Sequence, residues 1–285
     1  MTTLSSRRSR IDGDAGTQPA RPRLRGLVIG LGLVVFGASF SYVPNTASRA
    51  VLLLVGSCAG YWAFVRWFER RRCRELLGGW TAMAQLSLGG ALGTALAAVP
   101  LVEWWSAGLA RVVTLNSFAT FSLTLDALAF LGAVAAFEEL LFRGVILRYL
   151  ELSLGSWPAL ATSAVLFGLV HLADPYVGVL RIADCALAGL VLGAAYLITR
   201  RLWLPIGIHA LYNVVTALLI GSEETIPLVK LAFSGNPYWT SQAGVYALLA
   251  TGDGALALVL ILIAWKRGSF VSRRAAWGRQ IGPVS

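Results

Sequence analysis

The sequence predicts an all-α, polytopic membrane helix bundle of about eight transmembrane helices, with both termini cytoplasmic. Three observations predict it. Apolar residues make up 57% of the 285 and charged residues only 13%, with a mean hydropathy of +0.70, so a water-facing surface of ordinary charge cannot be assembled. Apolar runs of roughly 17 to 25 residues, the length that spans a hydrocarbon core, recur eight times. Basic residues fall nineteen to one side of these runs and four to the other, which is the positive-inside pattern.

The runs are 27–43, 50–68, 80–102, 118–147, 157–173, 182–199, 202–220 and 244–265. Residues 1–26, rich in Arg, Ser, Gly and Pro, read as a disordered basic tail. With 27–43 they imitate a signal peptide, but there is no clear small-residue cleavage site and seven further spans follow, so a retained first helix is expected. An Arg-rich start placed inside puts the arginines before 27, those of 66–74, Arg148, Arg200, Arg201 and the basic residues of 266–279 on the inner face. Arg49, Arg111, Arg181 and Lys230 fall outside, and Arg143 lies within a span. An even number of spans fits, closed by a second basic tail at 266–285. The net charge of +10 is mostly this inner-face excess, attractive to anionic membrane lipid, and calls for no nucleic acid.

Cys58, Cys73 and Cys185 lack metal or disulfide spacing and read as structural thiols, with acylation open for Cys73 beside the membrane. Gly89 with Gly93, and Gly189 with Gly193, are small-residue pairs that favour close helix packing. Two Lys against twenty-two Arg point to a GC-rich bacterial genome, and hence to a bacterial inner membrane.

Ionisable groups inside a span cost roughly 2.5 to 3.5 kcal/mol on insertion scales and need a reason. The fourth run contains Ala-Ala-Phe-Glu-Glu-Leu-Leu-Phe-Arg-Gly, which holds Glu138, Glu139 and Arg143. Glu139 and Arg143 are four apart with the acid first, the favourable helical pairing. Glu138 points about 100° away from Glu139. Without a built-in cation it suits general acid–base work. The fifth run places Phe167 and His171 on one face, and the seventh places His209 and Asn213 on another. These are the chain's two histidines. At about 1.5 Å per residue the polar groups come to similar depths, His171 somewhat deeper, and they converge on a cavity reached from the inner side.

The series E-E-x-x-x-R, F-x-x-x-H and H-x-x-x-N, in order on successive helices, resembles the three motifs of the CPBP (CAAX protease and bacteriocin-processing) intramembrane proteases, a family that includes the CAAX prenyl endopeptidases. Here the motifs are Glu138, Glu139 and Arg143; Phe167 and His171; His209 and Asn213. The resemblance covers about 118–220, with 27–265 as the transmembrane domain. It implies an intramembrane endopeptidase acting on a membrane-associated or lipidated peptide or protein. Glu138 and His171 would hold and deprotonate a water while His209 and Asn213 donate to the oxyanion. Glu139 and Arg143 mainly fix the helix.

Two His and a Glu also make a zinc set, Glu138, His171 and His209, with water as fourth ligand. No H-E-x-x-H is present and Asn213 is a poor ligand, so the metal-free mechanism is preferred and Zn²⁺ is kept as the alternative. A non-catalytic immunity or scaffold protein that binds a peptide in the same pocket is the second class of function. A secondary transporter is weaker, since the halves show no internal repeat. Asp253, between Gly252 and Gly254 in the last run, has no clean account, and Asp126, Asp184 and Arg181 lie toward the same outer side.

Overall fold

The computed structural model describes residues 20–39, 46–108, 110–115, 118–173, 179–219, 229–233, 242–273 and 275–276. The expected amino-terminal tail up to residue 19, positions 40–43 of the first expected span, and the chain beyond 276 lie outside them. The protein is an all-α membrane bundle. Its helices are α1 (Ala20–Ser39), α2 (Thr46–Ala63), α3 (Trp80–Ser106), α4 (Phe118–Glu139), α5 (Arg148–Leu154), α6 (Ser156–Val170), α7 (Val179–Thr199), α8 (Trp203–Leu219) and α9 (Gln242–Lys266). Helix α2 ends in a π-helical turn, Phe64–Phe68, and α4 joins α5 through eight π-helical residues, Leu140–Leu147.

Among the described residues, Ser48–Phe68, Trp80–Ser106, Val179–Thr199 and Leu249–Lys266 are long and apolar enough to cross a membrane, and Arg25–Phe36, Ser156–Val170 and Trp203–Leu218 are shorter apolar helices. Helix α6, with 15 residues, is about 22 Å long against roughly 30 Å of hydrocarbon. Outward faces carry apolar residues with no protein to cover them, such as Val55, Val99, Val165 and Leu258, each more than half exposed. Water would make that surface an association hazard, whereas lipid tails suit it. Trp67, Trp80, Trp105 and Trp265 are exposed at helix ends, where indole rings settle at the headgroup level.

Small residues set the closest approach. Helices α3 and α8 run side by side in the same direction. A Cβ on Gly89 would sit 2.4 Å from the Leu204 carbonyl oxygen, and one on Gly93 would sit 2.1 Å from that of Ile208. Gly189 of α7 lies close on Ala164 of α6, with its Cβ position 2.9 Å from the Ala164 Cα. Such contacts exclude any side chain and let backbones gain dispersion contact where lipid offers no hydrophobic drive. Helix α4 packs on α2 and α8, and α7 on α6 and α9, so the helices bearing the polar motifs are neighbours.

A two-stranded antiparallel sheet was not expected from the sequence. Strands β1 (Ala110–Leu115) and β2 (Val229–Phe233) pair Ala110 with Phe233 and Leu115 with Val229, with an irregularity between Val112 and Thr114. They tie the α3–α4 connection to the α8–α9 connection at one end of the bundle. The opposite end gathers the basic residues, and Arg71, Arg148 and Arg200 among them are paired. Glu69 accepts from Arg71 Nε at 2.8 Å and Tyr149 Oη at 2.9 Å and pairs with Arg148. Glu151 holds Arg200 at 2.5 and 2.9 Å. Burial foremost, with Glu75 beside it, pushes the Cys73 thiol up to about 11, which keeps it protonated and weakly nucleophilic.

The segment after α9 is held to the α5–α6 corner. Val271 exchanges hydrogen bonds with Ser156 at 3.0 and 2.8 Å, and Phe270 stacks on Trp157 at 3.9 Å. Gly155 makes the corner possible: its φ is +86°, and a Cβ there would come within 3.2 Å of the Val271 carbonyl oxygen.

Candidate active site

The last turn of α4 presents Glu138 and Glu139, and the π-helical residues after it return Arg143 to the same level. Arg143 Nη1 donates to Glu139 Oε1 at 2.8 Å, and its Nη2 donates to the Gly189 carbonyl at 3.1 Å. Both side chains are fully buried. From α8, His209 places Nδ1 2.9 Å from the same Glu139 oxygen. A carboxylate accepts only, so His209 Nδ1 carries the proton and Nε2 is left for other work. That Nε2 lies 3.7 Å from Glu138 Oε2, wider than a direct hydrogen bond. Glu138 Oε2 is buried with no hydrogen-bond partner among the described residues.

Helix α6 ends at His171, which begins a short 3₁₀ turn. Its Nδ1 lies 2.8 Å from the Phe167 carbonyl oxygen. The carbonyl fixes that proton on Nδ1, and the exchange satisfies one of the acceptors a helix terminus leaves open. His171 Nε2 is thereby directed elsewhere. The Phe167 ring separates the two histidines, edge-to-face with each, at 5.2 Å from His171 and 5.7 Å from His209. Arg143 lies over it at 4.6 Å and Phe142 packs at 5.0 Å. Asn213, half-buried, follows His209 by one turn of α8 on the same face.

The structure thus gathers Glu138, Glu139, Arg143 and His209 by direct contact, brings His171 against them across Phe167, and sets Asn213 one turn along. The family model described as Type II CAAX prenyl endopeptidase Rce1-like matches residues 120–215. All six polar residues fall inside that range. Over residues 120–215, about a third of the chain, the sequence is similar to that family. No curated protein and no solved structure matches the chain.

Within this matched segment, sequence reasoning missed the Gly189 carbonyl as a partner for Arg143. Its signal was the small-residue pair on α7, which brings that backbone close. For the alternative zinc set, Glu139 holds His209 Nδ1 and the Phe167 carbonyl faces His171 Nδ1, so the two Nε2 atoms are the ring positions left to coordinate. Among the described residues no three His, Cys, Asp or Glu side chains are grouped to hold a metal ion. Asp184 and Asp253 are buried on the packed helices α7 and α9, each with one carboxyl oxygen lacking a hydrogen-bond partner among the described residues. Asp126 is exposed on α4.

Proposed function

We propose that the chain is a glutamate-dependent intramembrane endopeptidase that hydrolyses a peptide bond of a membrane-associated or lipidated peptide or protein. The observation that carries this reading is the buried, unpartnered Glu138 Oε2 opposite His209 Nε2, beside a Glu139 whose charge is already met by Arg143. A carboxylate so placed is a base without a structural task.

Glu138 takes a proton from a water held with the help of His171 Nε2, and the resulting hydroxide attacks the scissile carbonyl. His209 and Asn213 donate to the oxygen as it gains charge. For His209 to donate from Nε2 while Nδ1 donates to Glu139, the ring carries both protons. Collapse of the tetrahedral intermediate breaks the C–N bond, and the proton on Glu138 passes to the leaving amine. The donors share one face of α8, so little reorganisation accompanies the charge change.

In this reading the chain crosses a bacterial inner membrane eight times, with both termini and the basic end of the bundle on the cytoplasmic side. A peptide leader or membrane-protein terminus is the expected substrate. The test is cleavage of a membrane-tethered peptide by the purified full chain in liposomes. Cleavage that persists in excess zinc chelator and falls by about 10² or more in Glu138→Ala is expected. Loss on chelation, restored by added Zn²⁺, contradicts the glutamate-only mechanism.

A further inference from the structure

The π-helical residues between Glu139 and Arg148 are held from outside the site. The Gly144 carbonyl accepts Arg148 Nε at 2.9 Å and Tyr61 Oη at 3.4 Å. Helix α2 sits so close that a Cβ on Gly144 would lie 2.7 Å from Tyr61 Cε2. Arg148 is itself buried and paired with Glu69, with Glu75 3.5 Å from Nη1. Glu69 and Glu75 are shared with Arg71, so two carboxylates and two guanidiniums close on one another. Gly144 follows Arg143, which holds Glu139, which holds His209 Nδ1. A bonded path therefore runs from the connection after α2 to the imidazole of α8. An α-helix and a π-helix rotate differently per residue, so keeping these eight residues π-helical sets how Glu138 and Glu139 face relative to Arg148.

We propose that Arg148, anchored by Glu69, is a positioning residue: it holds the π-helical segment through the Gly144 carbonyl and thereby fixes the Glu139–His209 hydrogen bond. Its kinetic consequence rests on the hydrolysis proposed above, whereas its structural consequence does not.

The chain has two histidines, so ¹⁵N-histidine labelling of the full chain in nanodiscs gives two imidazoles, assigned with His171→Gln. Arg148→Lys keeps a cation beside Glu69 but loses the planar donor at Gly144. Glu69→Gln keeps the shape and loses the charge, and it is the second variant if Arg148→Lys does not fold. The expected result in either variant is that the His209 nitrogens shift while those of His171 stay in place. Unchanged His209 signals overturn the proposal, as does an equal shift of both rings, which a general loosening of the bundle produces. On a Glu138-dependent substrate, kcat is expected to fall by about tenfold with KM nearly constant. A rise in KM at constant kcat overturns the positioning role. If the wild-type chain shows no Glu138-dependent cleavage, the hydrolase reading fails, and the histidine spectra still decide the positioning role.

Discussion

Glu138 and Glu139 are adjacent in the chain and opposite in circumstance. Glu139 is fully buried between Arg143 and His209, whereas Glu138 keeps partial exposure and a free oxygen. Replacing Arg143 with Met strands a buried carboxylate and is expected to cost about 3 to 5 kcal/mol of stability. Glu138→Ala removes no hydrogen bond and is expected to leave the melting temperature nearly unchanged. Thermal unfolding of the two variants in detergent checks the contrast, and equal losses contradict it. The six polar residues of the candidate site stood out in the sequence because the bilayer makes each of them expensive and therefore conspicuous. The i,i+4 spacing also showed the Glu139–Arg143 pair. His209 as the second partner of Glu139 was not legible: it lies 70 residues away, and only the packing of α4 on α8 brings it there.

At the scale of elements, the site depends on how closely α8 approaches its neighbours. Gly93→Leu forces a side chain into the Ile208 backbone and must push α8 away from α3. Loss of folded protein, or of cleavage in what folds, is expected. Gly32→Leu, at an exposed position where an added Cβ meets no atom within 4 Å among the described residues, is the matched control, and equal behaviour of the two contradicts the packing account. The small-residue pairs announced this contact in the sequence. The π-helical stretch left no such mark, since its residues read as an ordinary apolar helix and the hydrogen bonds to its Gly144 carbonyl come from Tyr61 and Arg148 outside it. The sheet was hidden for a related reason: 110–115 and 229–233 are short runs far apart in sequence, and each becomes a strand only against the other.

For the whole molecule, composition alone disclosed the solvent, because too few charges exist to cover the surface in water. The clustering of basic residues was also legible, but their pairing was not. Glu69, Glu75 and Glu151 were outnumbered by the arginines around them, and the sequence did not show that burial at the bundle end would pair them with Arg71, Arg148 and Arg200 in particular. The carboxyl-terminal segment looked like a tail because Ser269–Val271 gains its order from Ser156, Trp157 and Arg200. The central claim is that this bundle houses a peptidase rather than a binding pocket. Its most direct test compares new peptide termini in membranes that carry the wild-type chain with those that carry Glu138→Ala at equal abundance. Termini present only with wild type are predicted, and identical termini in the two membranes would contradict the account.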